Sequence, residues 1–229
     1  MSHLDSAPHV PRLTVPQLPE QVRFWQQVFG RVTQKVKPPQ IRKEHYEVPL
    51  LLLPKRSTWR TLLELPATTL DGGIIERVCD QASPLPDPWK PLCYLESPTT
   101  WYRLKQGVAK TVKELEDAFP EDLFILVQAG DDFHLGKSPI HTCATLRFAE
   151  FALDLLSGMA MSMVCLGLKR HSQQHFHLYC PGGEYDQKGG SKWSDTPRID
   201  IEFGRVAFDW NGETRARDGY HNLTAVRFR

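Results

Sequence analysis

The thirteen residues "RIDIEFGRVAFDW" (198–210) constrain the fold of this chain more than any other stretch. Apolar and polar residues alternate through it with a period of two, the repeat of a half-buried strand. Gly204-Arg205 suits a two-residue type II′ turn, which takes glycine at its first central position. Folding about that turn sets Phe203 opposite Val206, Ile201 opposite Phe208 and Ile199 opposite Trp210. All six apolar residues then share one face, and a one-residue slip would spoil the match. The same pairing gathers Asp200, Glu202 and Asp209 on the other face, with Asp200 directly across from Asp209. Like charges so placed destabilise a sheet unless a cation lies between them. Arg198, two residues along, is one such cation and a metal ion is another.

Upstream, "RHSQQHFHLYCPGGEYDQKGG" (170–190) contains a second alternating run. As a strand over 175–180 it sends Phe176, Leu178 and Cys180 to the apolar side and His175, His177 and Tyr179 to the polar side. If this strand lies beside the hairpin, His175, His177, Asp200 and Glu202 share one surface. Nitrogen and oxygen donors in that mixture suit zinc, manganese or iron. His171 is a further imidazole across the turn. The alternative is a solvated sheet face with no chemistry.

The "HFH" triplet resembles the metal-binding motif of nucleases that nick DNA at replication or transfer origins, and "YDQK" looks like their tyrosine-plus-lysine element. Tyr185, however, follows His177 by eight residues, whereas the nucleophile of that family lies on a separate helix. His175-x-His177 followed by Glu184 looks like the first motif of a cupin barrel, with the second motif missing. Against nucleases that pair an Asp with Glu-x-Lys, "DIEFGR" has no Lys in the required place: Gly204 stands there and the basic residue, Arg205, comes one position later. No resemblance extends over the whole chain.

The rest of the chain supplies the covering layer. "PEQVRFWQQVFGRV" (19–32) places Val22, Trp25, Val28 and Phe29 on one helical stripe. "HYEVPLLLLP" and "STWRTLLELP" read as two short strands joined at Lys55-Arg56, with Pro49 confining the first to an edge or a bulge. Residues 82–91 hold four prolines and form an extended connector. Ser97-Pro98 caps a helix carrying Val108, Val112, Leu115 and Phe119. "LFILVQA" (123–129) is a buried strand, and Ser138-Pro139 opens a helix running to about residue 157. In that helix Leu146, Phe151 and Leu155 face inward, and Gly158 is its stop. "MAMSMVCLGL" and "NLTAVRFR" read as further strands. The expected fold is α+β: a mostly antiparallel sheet, ending in a C-terminal meander, with two or three packed helices and a smaller N-terminal helix-hairpin lobe. The expected division is an extended arm (1–18), the N-terminal lobe (19–81), the connector (82–96) and the main domain (97–229).

Charge is segregated along the chain. Arg23, Arg31, Lys35, Lys37, Arg42, Lys43, Lys55, Arg56 and Arg60 lie in a segment whose only acids are Glu44 and Glu47. Between Asp71 and Asp154, fourteen acids outnumber eight bases. A basic segment of this kind steers a polyanion such as DNA or RNA. Lys188 and Lys192, in the glycine-rich loop after the histidine strand, and Arg215, Arg217, Arg227 and Arg229 extend it. A second candidate site is "AGDDFHLGKSPIH" (129–141), where Asp131, Asp132, His134 and His141 follow a buried strand. The five cysteines are scattered and contain no Cys-x-x-Cys pair, which argues against a disulfide framework and a zinc ribbon. No run is long and apolar enough for a membrane span.

These features point to a cytoplasmic, bacterial, nucleic-acid-associated accessory protein working within a larger system. The alternatives are a metal-dependent hydrolase or phosphodiesterase using the His and Asp/Glu face, and a protein-interaction module without chemistry.

Overall fold

A computed structural model describes residues 15–30, 50–80, 83–85, 91–128, 134–147, 149–168, 176–186, 193–202, 205–214 and 220–226. These residues form an α+β fold with seven helices and eleven strands. In chain order they are α1 (Leu18–Phe29), β1 (Leu50–Pro54), α2 (Arg56–Leu62), α3 (Asp71–Cys79), β2 (Leu92–Cys93), α4 (Pro98–Trp101), β3 (Tyr102–Leu104), α5 (Gln106–Asp117) and β4 (Leu123–Gln128). There follow α6 (Pro139–Ala144), β5 (Glu150–Ala152), α7 (Leu155–Leu168), β6 (Phe176–Tyr179), β7 (Gly183–Tyr185), β8 (Asp195–Glu202), β9 (Arg205–Gly212), β10 (Tyr220–Asn222) and β11 (Thr224–Val226).

Two sheets result. One has the order β1-β4-β11-β5 and is antiparallel throughout. The other runs β10-β6-β8-β7-β3, with β9 on the far side of β8 and β2 beyond β9. Two of its pairs are parallel, β10 with β6 and β2 with β9. β1, the strand that follows Pro49, is the edge of its sheet.

Helix α7 is the centre of the core. It packs against β1 of the first sheet, β8 of the second, and α1. Leu155, Leu156, Met159, Ala160, Met161, Met163, Val164 and Cys165 are all buried, so no polar stripe is left to solvent. A helix enclosed on all sides has no amphipathic period, which is why "MAMSMVCLGL" reads as a strand and folds as a helix. Gly158, expected to stop a helix, lies inside α7 instead. A Cβ there would stand 2.8 Å from Cys180 Sγ and 3.0 Å from Ile199 Cδ1, so glycine lets the helix approach the second sheet. The helix expected over 139–157 is broken, because α6 ends at Ala144 and β5 takes Phe151 into the first sheet. Ala149 turns the chain between them with φ 64°.

Two other expectations are corrected. The segment after Lys55 is helix α2 rather than a strand, with Trp59 buried in contact with Trp25 and Arg56 drawn into an ion cluster. The helix capped by Ser97 lasts four residues before β3 intervenes. Val108, Val112 and Leu115 are buried on α5, as their spacing requires.

The hairpin forms, with a register two residues away from that expected. Ile201 pairs with Val206, Ile199 with Phe208, Pro197 with Trp210 and Glu202 with Arg205. A shift of two preserves side-chain parity, so Ile199, Ile201, Val206 and Phe208 still share the buried face. It also sets Arg198, rather than Asp200, opposite Asp209, replacing a like-charge pair by an opposite-charge one.

The strands after residue 219 depart from a simple meander. β10 belongs to the second sheet and β11 to the first, with Leu223 alone between them. Leu223 is buried; its N–H donates to Tyr179 O and its carbonyl accepts from Leu153 N–H.

Candidate functional site

The strand carrying His177 does lie beside the strand carrying Asp200. β6 and β8 pair antiparallel with His177 opposite Asp200 and Tyr179 opposite Arg198. Because β10 runs parallel to β6, Tyr220 aligns with His177 and Asn222 with Tyr179. Cross-strand neighbours project to the same side, so two rows cross this face. One is Tyr220, His177, Asp200 and Ala207; the other is Asn222, Tyr179, Arg198 and Asp209. Thr196 and Asn211 form the start of a third.

His177 Nδ1 lies 2.8 Å from Asp200 Oδ1, and its ring stacks on Tyr220 at 4.4 Å between centroids. Arg198 Nη2 is 3.0 Å from the other Asp200 oxygen and also contacts Asp209 Oδ2. Its Nη1 donates to Tyr220 Oη at 3.4 Å. Burial works against the Arg198 charge, but Asp200 and Asp209 outweigh it and hold the guanidinium protonated. Asn211 Nδ2 donates to Tyr179 Oη at 3.0 Å. Arg198 therefore takes the place between carboxylates that a metal ion would need. Among the described residues no three His, Cys, Asp or Glu side chains are grouped to hold a metal. Of the four expected ligands, His177 and Asp200 meet; His175 and the Glu202 side chain lie outside the described residues.

This face is not an ordinary solvated one. Tyr179, Thr196 and Asn211 are buried, and Asp200 and Tyr220 nearly so. The side chains of His177 and Asp209 keep 27% and 24% of their surface exposed and form the rim. Three buried polar atoms on this face have no hydrogen-bond partner among the described residues: Arg198 Nε, Thr196 Oγ1 and Asn222 Oδ1. Among the described residues none bonds His177 Nε2. Buried polar atoms are normally satisfied, so three orphans on one face mark a place where another molecule or ordered water completes the bonding. Chemically, an imidazole whose Nδ1–H is held by a carboxylate presents Nε2 as a proton acceptor, or as a donor once protonated.

The other expected residues fall elsewhere. His134 is fully buried, with Nε2 2.9 Å from Glu150 Oε1. Thr224 Oγ1 and Arg147 N–H also donate to Glu150. Burial raises this carboxyl, but the bonds from His134, Thr224 and Arg147 outweigh it and bring it down to about 2. His141 is exposed on α6, so the two histidines do not converge. Asp131 and Asp132 lie outside the described residues.

Of the basic set, Arg23 is exposed. Lys55 Nζ donates to Phe119 O, and Arg60 Nε to Thr69 O at 2.7 Å. Arg56 is 7% exposed and contacts Asp154 at 2.8 Å, Glu116 at 3.1 Å and Asp71 at 3.2 Å. It joins α2, α3, α5 and the start of α7 rather than facing a partner. Arg31, Lys35, Lys37, Arg42, Lys43, Lys188, Lys192, Arg215, Arg217, Arg227 and Arg229 lie outside the described residues. Tyr185, the tyrosine of "YDQK", is buried in β7, and its hydroxyl bonds both the carbonyl and the N–H of Glu96 at 2.8 Å. Burial pushes it up to about 12, so it is a structural phenol rather than a nucleophile. Tyr220, which the sequence did not single out, enters the face only through parallel pairing with a strand more than forty residues earlier.

No protein-family model matches the chain, and neither a curated protein nor a solved structure matches it significantly.

Proposed function

We propose that this protein is nucleic-acid associated and that the His177 face binds a nucleoside unit of a single strand, base or sugar, while basic residues elsewhere meet the phosphates. The observation that carries this reading is the set of unpartnered buried atoms beside a half-exposed, stacked imidazole. Arg198 is already neutralised by Asp200 and Asp209, so the face has no surplus positive charge for a phosphate. It offers mixed donors and acceptors with an aromatic platform, the combination that suits bases and sugar hydroxyls. Segregated basic charge in the sequence supports the phosphate half of the reading.

The test is binding of fluorescent single-stranded oligonucleotides over a range of salt. His177→Ala should weaken binding by about 5- to 150-fold, the value of one base–aromatic contact, and leave the salt slope unchanged. Binding insensitive to salt, or indifferent to His177, defeats the reading.

The His177–Asp200 contact favours a second reading, hydrolysis of a phosphodiester with His177 Nε2 as general base and Asp200 fixing the ring. Cleavage of the same oligonucleotides, abolished in His177→Gln, would establish it. Running that assay with and without chelator, then with added zinc, manganese or iron, tests the metal-dependent form.

A further inference from the structure

The two rows of the His177 face do not end at β9. β2 runs parallel to β9, with Leu92 level with Ala207 and Cys93 level with Phe208. The Tyr94 N–H continues that ladder, donating to Phe208 O at 2.8 Å, so Tyr94 comes level with Asp209. Phe208 is buried and Cys93 packs against the core. Strand alternation therefore turns Leu92 and Tyr94 to the opposite side, the side of His177 and Arg198. Leu92 extends the row of His177 and Asp200; Tyr94 extends the row of Arg198 and Asp209.

Burial changes along these rows. At the β6 and β10 end Tyr179 is buried and Tyr220 nearly so, whereas at the β2 end Leu92 is 41% and Tyr94 59% exposed. An exposed tyrosine presents a large, flat apolar surface with few rotatable bonds, which suits it to stack on a base. Beside it, Asp209 contacts Arg198 through Oδ2, and Asp209 Oδ1 has no hydrogen-bond partner among the described residues. A carboxylate oxygen accepts from the amino group of cytosine, adenine or guanine. Thymine and uracil have no amino group and would set carbonyl oxygens against it. Tyr94 stands three strands and one pleat repeat from His177, about 16 Å away.

We propose that Tyr94 and Asp209 form a second nucleoside subsite on this face, where Tyr94 stacks a base and Asp209 accepts from its amino group. The proposal rests on the reading that the His177 face binds a single strand. It adds a second contact, a path across the sheet from β6 to β2, and a preference for amino-bearing bases over thymine and uracil. The two subsites together hold about two or three successive nucleotides, the number that aromatic residues on one sheet face stack elsewhere.

The test uses the full chain and fluorescent single strands of cytosine alone or thymine alone. Tyr94→Ala should weaken binding of the cytosine strand by about 5- to 150-fold, the value of one base–aromatic contact, and Tyr94→Phe should bind as the wild type does. Because the ring is exposed, both variants should unfold thermally with the wild type. The wild type should bind the cytosine strand about tenfold more tightly than the thymine strand, the value of one hydrogen bond to a charged group. Asp209→Asn should level the two, since an amide donates as well as accepts. If His177→Ala weakens binding and Tyr94→Ala does not, this subsite is overturned and the His177 reading stands. If the wild type binds neither strand, both are overturned. A cytosine preference that is absent, or that survives in Asp209→Asn, overturns the proposal. So does a wild-type dimer that Tyr94→Ala dissolves, because the ring then belongs to a contact between copies of the chain.

Discussion

Arg56 sits where four helices meet, and three carboxylates share its one guanidinium. Asp154, the most enclosed of the three, also accepts from Ser157 N–H and Oγ–H, so it caps α7 while pairing with Arg56. Burial would raise the Asp154 carboxyl, but Arg56 and Ser157 outweigh it and hold it down; for Glu116 burial prevails and the carboxyl is raised. Removing this guanidinium leaves buried negative charge without its partner, which costs about 3–5 kcal/mol. Arg56→Met should lower stability by that amount in urea unfolding, and Arg56→Lys should recover only part, since one ammonium cannot fork to three partners. Glu150 gives a pH signature of its own. Its folded carboxyl is held down at about 2, below the ordinary glutamate value of 4.5, so its stabilisation is complete above pH 4.5 and disappears as pH falls through about 2. The full effect is about 3 kcal/mol. Unfolding free energies at pH 6 and pH 3 should differ less in Glu150→Gln than in the wild type by a sizeable part of that value. At this scale strand alternation made it legible that His177 and Asp200 share a face once their strands are neighbours; that β6 and β8 are neighbours was not legible. The fate of Arg56 was not legible, since a charge in a basic run looks the same whether it faces solvent or three carboxylates.

Helix α3 carries adjacent glycines with opposite requirements. A Cβ on Gly72 would stand 2.2 Å from the Pro98 carbonyl oxygen, a backbone atom that cannot move without displacing α4. A Cβ on Gly73 meets the Thr69 methyl at 2.7 Å, the end of a rotatable side chain, and Thr99 Oγ1 at 3.8 Å, an ordinary contact. Gly72→Ala should therefore destabilise by about 1–3 kcal/mol, as overpacking does. Gly73→Ala should fall within about 1 kcal/mol of the wild type, because helix propensity offsets the adjustment. Thermal unfolding of the two variants side by side checks the contrast. Elements whose faces differ, such as α1, α5 and the β8–β9 hairpin, were legible for the same reason that they fold: one side is apolar. Element α7 has no such contrast. Strands β5 and β10 are three residues each and owe their state to neighbours distant in sequence, a contribution no local pattern carries.

The whole molecule is held by pairings that span it. Leu51, Leu52 and Leu53 of β1 lie in register with Leu126, Ile125 and Phe124 of β4, and Arg56 reaches Asp154. A fragment of residues 97–229 would lose the partner of β4 on one side and the counter-ion of Asp154. Such a fragment, expressed alone, should give poorly dispersed amide NMR spectra and no cooperative unfolding transition. A well-folded fragment would instead support an independent main domain beginning after the connector. Charge segregation was plain in the sequence; its arrangement in space was not, because side chains from one run divide between solvent, carbonyls and ion pairs.

The single-residue crossing at Leu223 has a consequence for the time course of synthesis. As a growing chain leaves the ribosome, β4 and β5 emerge well before β11, the strand that lies between them. Until residues 220–226 appear, each of those strands keeps a bare edge, and β6 lacks its parallel neighbour as well. Both sheets are thus completed by one short, late piece of chain, so the molecule acquires its two halves together rather than in succession.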